Sequence, residues 1–272
     1  MEFEKAEGRS RFCKGEDILG CRQLMIRGDT QLAREIATLI SGLELQECII
    51  LKRNNLFTLE ALMRGSTKIV YINNTGRLAG VLERGKKGYC AKNASGSLAF
   101  RIIGVEEGEY ATLVDTMLQE RAFLIAQREG LIKWLLDCRL LKRNYRLDSE
   151  TIDLAYACGD QLVLVELKSA IMKLAGGYAG YPDAPTVRGR RQIKALADYV
   201  KGGGRAVLVF IAGVPFASGF KLYCRADREI KDVIDYAAQS GLELRAVNTC
   251  LDPQSKSVIL LGGDLPVELS CA

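Results

Sequence analysis

Two runs of consecutive apolar residues limit the possible folds of this chain more than any other feature. Residues 162–165 read Leu-Val-Leu-Val, and residues 206–212 form a second run without a polar side chain. Neither run has a polar face, so both are predicted to be strands that are covered on both sides of a sheet. Apolar residues at helical spacing predict helices over 112–128, 189–200 and 227–240. Further strands are predicted at 139–146, 151–158, 161–168, 205–212, 243–247 and 258–261. The C-terminal half is therefore predicted to be an α/β domain.

The segment from residue 47 to residue 107 has a different periodicity, with short stretches in which apolar and polar residues alternate. This alternation predicts strands at 49–51, 56–62, 68–72 and 98–103. Several short strands joined by charged turns are typical of a small β-barrel. The acidic segment 106–109 is predicted to separate this barrel from the α/β domain.

Residues 1–46 are predicted to be an extension that contains one short helix. Apolar residues recur at helical spacing between residues 30 and 40. Asp29 or Thr30 is suited to cap the N-terminus of that helix.

The chain contains no histidine. This absence excludes Ser-His-Asp and Cys-His nucleophile systems, zinc sites with His ligands and His general bases. Any catalysis must therefore use carboxylates, lysines, cysteines, backbone amides or a bound metal. The composition is otherwise globular, with 48% hydrophobic and 26% charged residues, which excludes a disordered chain.

Basic residues are concentrated in two segments of a chain whose formal net charge is +5. Residues 84–101 carry five basic residues and no acid, and residues 186–205 carry six basic residues and one acid. Such segments are either solvated surfaces or contacts for nucleic acid, and the pattern leaves both open.

The nine cysteines are scattered and include no C-x-x-C pair, which argues against a zinc ribbon. Free buried thiols are predicted. Together with a polar, acidic start that is unlike a signal peptide, they indicate a cytoplasmic location. The longest apolar stretch, 206–220, is interrupted by Pro215 and is too short to cross a bilayer, so no membrane partner is expected.

Three charged residues lie on the predicted strands 151–158 and 161–168. Glu166 and Lys168 share one face of their strand, and a hairpin partner can bring Asp153 to the same edge. Charged groups at the end of an apolar strand are costly unless they are paired or hold a metal. Two carboxylates suit a hard cation such as Mg²⁺, and the lysine suits a water or a phosphate. An ordinary Glu–Lys ion pair fits the pattern as well, and both interpretations stay open.

Residues 181–189, which read Tyr-Pro-Asp-Ala-Pro-Thr-Val-Arg-Gly, form a predicted rigid loop that leads into a helix. Arg188 and Arg190 near the start of that helix are suited to clamp a phosphate together with free backbone amides. A purely structural loop is the alternative.

Several motifs occur in a fixed order along the chain. They are Lys52–Phe57, Asn74-Thr75-Gly76-Arg77, Val114-Asp115-Thr116, Val165-Glu166-Leu167-Lys168-Ser169 and residues 181–189. This set resembles the sugar fermentation stimulation protein family (SfsA), whose motifs include P-N-T-G-R, V-D-T, E-V-K-S and F-P-D-A-x-T-x-R-G. The resemblance covers about residues 48–270 and leaves residues 1–46 outside.

The resemblance implies an OB-like β-barrel over 47–107, followed over 108–272 by an α/β domain with the mixed sheet of PD-(D/E)xK nucleases. It implies DNA as a partner, with single-stranded DNA or RNA as variants. In such nucleases Asp153, Glu166 and the Leu167 carbonyl would hold Mg²⁺ or Mn²⁺, and Lys168 would act on the water or the phosphate. The resemblance also assigns nucleic-acid contacts to Arg53, Asn74, Arg77, Arg188, Arg190 and Arg191, and places Asp183 in the site.

Some positions depart from the family pattern. Lys142 stands where the family usually has Glu, Thr151 replaces an Arg, and Tyr71 and Gln192 replace histidines. The missing acid argues against efficient two-metal cleavage. Three functions stay open: a DNA-binding protein with a nuclease-like domain, a Mg²⁺- or Mn²⁺-dependent nuclease or phosphodiesterase, and a sensor that binds a small molecule or a nucleotide between the two domains.

Few aromatic residues are available in the barrel for base stacking. The candidates are Phe57, Tyr71, Tyr89 and Phe100. Nucleic-acid binding is therefore expected to be mostly electrostatic, salt-sensitive and weakly specific.

Overall fold

The computed structural model describes residues 9–12, 22–25, 34–93 and 96–272. Its first strands are β1 (Arg9–Phe12), β2 (Arg22–Met25) and β3 (Arg34–Ile40). They pair antiparallel in sequence order.

The next five strands close into a barrel. They are β4 (Gln46–Arg53), β5 (Thr58–Met63), β6 (Ser66–Tyr71), β7 (Lys87–Lys92) and β8 (Phe100–Glu107). The pairs β4–β5, β5–β6, β6–β8, β8–β7 and β7–β4 complete the ring, and β6–β8 is parallel. Ile50, Leu59 and Val70 are fully buried in its core. The β-barrel that the alternating pattern predicts is thus confirmed.

The remaining elements are helices, the strands of a mixed sheet and the strands of a second, four-stranded sheet. The helices are α1 (Thr116–Arg128), α2 (Val187–Lys201) and α3 (Ile230–Gln239). The strands are β9 (Tyr110–Leu113), β10 (Cys138–Leu147), β11 (Glu150–Cys158), β12 (Gln161–Ala170), β13 (Met172–Lys173), β14 (Ala179–Tyr181), β15 (Arg205–Ala212), β16 (Phe220–Leu222), β17 (Glu243–Asp252), β18 (Ser257–Gly262) and β19 (Val267–Cys271). Neighbouring strands follow the order β10–β11–β12–β15–β17–β18–β3, with parallel contacts at β12–β15 and β15–β17. The two apolar runs lie in β12 and β15 at the centre of the sheet, as predicted.

Helices cover both faces of this sheet. Phe123 of α1 belongs to the same buried cluster as Val165 of β12. On the opposite face, Leu196 of α2 and Ile234 of α3 share a cluster with Leu208 of β15. This double cover explains why β12 and β15 lack a polar face. No helix in the described ranges is long and apolar enough to span a bilayer.

Helix α1 begins later than predicted, because Thr112 belongs to β9. The side chain of Asp115 caps the helix by accepting the N–H of Leu118 at 2.8 Å. Arg101 of the barrel forms an ion pair with the same carboxylate at 3.1 Å. The helix start is therefore fixed against the barrel.

The helix predicted between residues 30 and 40 is wrong for residues 34–40, which form β3, while residues 30–33 lie outside the described part. β3 pairs antiparallel with β18 and buries Ile36, Leu39 and Ile40. The open edge of β18 offers backbone partners and apolar surface to a segment whose helical pattern is short. Tertiary pairing therefore outweighs local periodicity.

Two disulfides contradict the prediction that the cysteines are free. Cys138 and Cys158 face each other across β10 and β11, and Cys224 is bonded to Cys271 of β19. Pairing of this kind depends on which strands become neighbours, which sequence spacing does not give. The free cysteines of the described part are Cys48, Cys90 and Cys250, all buried, and Cys13 and Cys21 lie outside it.

Candidate functional site

Strands β11 and β12 separate at the predicted site. Their backbone pairing extends from the turn to Leu154 and Val165, and beyond this point side chains bridge the strands. The backbone N–H of Asp153 donates to Glu166 Oε2 at 3.1 Å, and the N–H of Leu167 donates to Asp153 Oδ2 at 2.8 Å. Because the N–H and C=O of one strand residue point to the same side, the Leu167 carbonyl faces this gap too.

A buried lysine completes the arrangement. Lys168 Nζ lies 2.5 Å from Glu166 Oε1 and 2.8 Å from Gln192 Oε1 of α2. Gln192 is held in turn by donating to the Thr151 carbonyl at 2.7 Å. Burial alone would lower the pKa of Lys168, but the charge of Glu166 raises it overall. The lysine is thus a fixed positive charge that Gln192 positions.

Asp153 carries an unusual proton affinity. Burial, followed by the charge of Glu166, raises the pKa of Asp153 to about 7. Lys168 does not compensate both carboxylates, so the site has a deficit of positive charge at neutral pH. A cation would supply that charge.

A cleft of about 180 Å³ opens beside Asp153 on the α1 face of the sheet. Glu120 of α1 lines it, together with Leu167 and Ser169. Glu120 is not among the residues that the sequence motifs single out. The sequence feature that could identify it is an acidic residue one turn after the start of α1, the helix that packs over β12. Lys142, at the position of the missing family acid, is exposed on β10 and does not line the cleft.

The oxygen atoms at the gap suit a hard cation. Asp153, Glu166 and the Leu167 carbonyl offer the donors that Mg²⁺ and Mn²⁺ prefer. No group of three acidic, cysteine or histidine side chains is close enough to hold a metal within the described ranges. A cation here would therefore be held by two carboxylates, a carbonyl and water, and the residues fit that composition.

Arg53 has no donor left for a ligand. Its Nε donates to the Asn55 carbonyl at 2.9 Å, and its Nη2 to Leu56 at 2.9 Å and Asn74 at 3.0 Å. Its Nη1 donates to the carbonyls of Gly76 and Arg77. All five N–H groups are thus used. This geometry favours a structural role, in which Arg53 shapes the loop after β6.

That loop docks on the C-terminal domain. Asn74 donates to the Val114 carbonyl and to Ser169 Oγ, both at 3.2 Å. The Asp183 carboxylate accepts the N–H of Leu78 at 2.9 Å. The two most specific motifs of the chain therefore meet each other, and Asn74 and Asp183 join the barrel to the nearby cleft.

We expect Gly76→Ala to destabilise this joint. An alanine Cβ would overlap both oxygens of the Asp183 carboxylate, which the Leu78 N–H holds in place. The free energy of unfolding should fall by about 1–3 kcal/mol, measured by urea denaturation. Thr75→Ala, at the exposed neighbouring position, serves as the control and should change stability by less than about 0.5 kcal/mol. An equal effect of both variants would contradict this role of Gly76.

The remaining predicted arginines differ in availability. Arg190 is bound by Asp227 and, at 3.2 Å, by Glu229. Arg191 pairs with Glu150 at 3.1 Å but stays exposed. Arg77 and Arg188 are exposed, and within the described ranges neither side chain has an ion-pair partner. Of the predicted arginines, these two are therefore both exposed and unpaired.

The aromatic candidates also differ in exposure. Phe57 is exposed, Tyr71 and Phe100 are half-buried, and Tyr89 is buried. Tyr89 packs into the cluster between the barrel and α1 and offers no stacking surface.

Comparison with known proteins places these motifs in a family. A model described as "SfsA N-terminal OB domain" matches residues 51–114, and one described as "Sugar fermentation stimulation protein RE domain" matches residues 114–255. The sugar fermentation stimulation protein homolog of Pyrococcus furiosus is 35% identical over 82% of this chain and 95% of its own length. The homolog of Archaeoglobus fulgidus is 36% identical over 81% of this chain and 94% of its own length.

A solved structure supports the same relationship. It is described as Pyrococcus furiosus SfsA in complex with Ca²⁺, and it matches with a TM-score of 0.81 and 35% identity. The match covers 85% of this chain and 99% of that one. This chain therefore belongs to the sugar fermentation stimulation protein family, SfsA.

Proposed function

We propose that this chain binds DNA and uses a Mg²⁺ or Mn²⁺ ion in the cleft beside Asp153 to hydrolyse phosphodiester bonds. The observation that carries the proposal is the convergence of Asp153, Glu166, the Leu167 carbonyl and Lys168 where β11 and β12 separate. An Asp on one strand followed by E-x-K on the next is the arrangement of PD-(D/E)xK nucleases, and we assign the C-terminal domain to that fold.

The cation assignment rests on charge and donor type. Burial first and the charge of Glu166 second raise the pKa of Asp153, and a cation bound to these oxygen donors would stabilise its ionised form. The Pyrococcus furiosus relative is described as a complex with Ca²⁺, another cation that binds oxygen ligands. A bound Mg²⁺ or Mn²⁺ would supply Lewis acidity toward a phosphate and toward a water.

The side chains of this chain have distinct roles in the proposal. Asp153 and Glu166 hold the ion, and the Leu167 carbonyl assists. Lys168 presents a positive charge that Gln192 orients, which stabilises negative charge on a phosphate. Glu120 faces the cleft from α1 and is suited to orient a water. None of these roles requires an imidazole.

DNA contact is assigned to the exposed cations nearest the motifs. Arg77 lies in the loop that docks on Asp183, and Arg188 lies in the first turn of α2. Arg191 is a third exposed candidate. Binding through such residues is electrostatic and sensitive to salt.

Cation binding is tested by thermal unfolding at about pH 5 and about pH 8. Because the pKa of Asp153 is higher in the folded chain than its ordinary value of 3.8, stability without metal should fall as pH rises toward 7. Asp153→Asn removes this charge. Without metal, the free energy of unfolding of the variant should therefore exceed that of the wild type by on the order of 2 kcal/mol at about pH 8, and by less at about pH 5. Mn²⁺ should raise the Tm of the wild type and leave that of the variant unchanged.

Cleavage is tested with labelled single-stranded DNA, duplex DNA and RNA in Mg²⁺, in Mn²⁺ and in EDTA. Metal-dependent cleavage of any of them is expected. An identical Mn²⁺ response of wild type and Asp153→Asn, or the absence of cleavage in both metals, would contradict the proposal. Stabilisation by a free nucleotide and not by DNA would favour a nucleotide sensor instead.

A further inference from the structure

A cavity of about 870 Å³ lies beside the second half of α1 and shares no lining residue with the cleft at Asp153. Its walls come from the end of β3, the second half of α1, the segment after α1 and the start of β10. Cavities of about 300–1,000 Å³ are typical of small-molecule sites. The proposed cleavage chemistry does not use this one.

The floor of the cavity is part of the hydrophobic core between α1 and the sheet. Leu39 of β3 belongs to that buried cluster, and Leu124, Ile125 and Leu140 pack against it. Leu136, which is 51% exposed, adds further aliphatic surface to the wall. Within the part of the chain that the structure describes, no aromatic side chain lines the cavity. Core surface that is open to water in this way favours a ligand with an aliphatic body.

The walls are held in place by contacts that need no ligand. The disulfide between Cys138 and Cys158 ties the start of β10 to β11. The side chain of Gln127 in α1 donates to the carbonyls of Cys138 at 2.7 Å and Leu135 at 3.3 Å, which fixes the segment between α1 and β10. On the other side, β3 is paired with β18. The cavity is therefore pre-formed, as small-molecule sites usually are.

Cations flank the aliphatic floor. Arg121 and Arg128 both line the cavity and lie seven residues apart on α1, about 10 Å along one face of the helix. Arg128 is paired with Glu129 at 3.1 Å, whereas Arg121 and Arg139 are exposed and have no ion-pair partner among the described residues. Asp137 is the acid of the described lining, and it has no such partner either. Two unpaired arginines and one unpaired aspartate leave one net positive charge.

We propose that this cavity binds an amphipathic anion, a carboxylate that carries an aliphatic chain. The chain would cover the aliphatic floor, and the carboxylate would accept hydrogen bonds from the guanidinium groups of Arg121 and Arg139. One net positive charge suits a monoanion, and a guanidinium offers a carboxylate two parallel N–H donors. The proposal does not depend on the proposed cleavage, because the cavity and the cleft are lined by different residues.

The test is isothermal titration calorimetry of the full chain with octanoate, octanol and octylammonium, which share a chain length and differ in charge. Octanoate should bind at least about tenfold more tightly than octanol, because hydrogen bonds between charged groups are the strong ones. Octylammonium should bind most weakly of the three. Each CH₂ group removed between octanoate and hexanoate should weaken binding by about three- to fourfold.

Variants of exposed residues separate the charge from the apolar surface. The double variant Arg121→Gln, Arg139→Gln should bind octanoate at least about tenfold more weakly and octanol within about twofold of the wild type. The matched control Arg64→Gln, Arg84→Gln removes two exposed barrel arginines that line neither the cavity nor the cleft, and it should leave both affinities unchanged. Ser41→Trp adds a bulky side chain at an exposed cavity residue and should weaken octanoate and octanol alike.

Methyl NMR spectra locate the bound octanoate. The methyl resonances of Leu39, Leu124, Ile125 and Leu140 should shift, because these side chains form the floor. Methyl shifts confined to the barrel would overturn the proposal. So would a wild type that does not bind octanoate, octylammonium that binds as tightly as octanoate, or equal losses in the double variant and its control. Octanoate binding by a wild type that cleaves no nucleic acid would support the cavity assignment and remove the proposed hydrolysis.

Discussion

Asp153→Asn and Glu166→Gln are each expected to lower metal-dependent cleavage by at least about 10³-fold. Both carboxylates lie where β11 and β12 separate, and each is a proposed ligand of the ion. A metal ion supplies several kcal/mol of transition-state stabilisation, and about 4 kcal/mol corresponds to this factor. The measurement is single-turnover cleavage of a labelled oligonucleotide in Mn²⁺.

Binding distinguishes this effect from a loss of structure. Both variants should bind DNA in EDTA within about threefold of the wild type, because Arg77 and Arg188 are unchanged. Asp160→Asn is the matched control, since it removes an exposed acid from the turn between the same strands. Full cleavage by Asp153→Asn, or equal losses in Asp153→Asn and Asp160→Asn, would show that these carboxylates do not hold the ion.

Lys168→Met is expected to lower the free energy of unfolding by about 3 kcal/mol. Methionine has a similar volume but removes the positive charge 2.5 Å from Glu166, which is only 2% exposed. A buried carboxylate without its counterion is costly. The measurement is urea denaturation at neutral pH, and cleavage should be lost as well.

The double variant Lys168→Met, Glu166→Gln isolates the charge interaction. Removing both charges leaves neutral groups of similar shape, so the double variant should be more stable than Lys168→Met alone. Gln192→Ala should lower the free energy of unfolding by less than Lys168→Met does, because it removes only a neutral acceptor of the Lys168 ammonium group. A double variant as unstable as the sum of its single variants would show that the buried pair is not the source of the effect.

Local pattern predicts much of the fold because the central elements are strongly patterned. The apolar runs in β12 and β15 have no polar face in any conformation, and α2 carries its apolar residues on one side. These elements occur within a few residues of their predicted positions. The alternating strands of the barrel are recognised for the same reason.

Other features depend on partners that are distant in the sequence. β3 is a strand because the edge of β18 is open, and the pairing of Cys138 with Cys158 follows from the alignment of β10 with β11. The small sheet of β13, β14, β16 and β19 contains strands of two to five residues, which are too short to give a periodic signal.

The sequence by itself determined the β-barrel, the α/β class of the C-terminal half and the family motifs, because strand alternation and residue chemistry are local properties. It also singled out Asp153, Glu166 and Lys168 as candidate site residues. It also excluded imidazole chemistry, because the chain has no histidine to supply it. Only the tertiary structure decided that the N–H groups of Arg53 all donate to backbone carbonyls and that Glu120 lines the cleft. Those assignments depend on which groups meet in space, and folding brings together residues that the sequence leaves far apart.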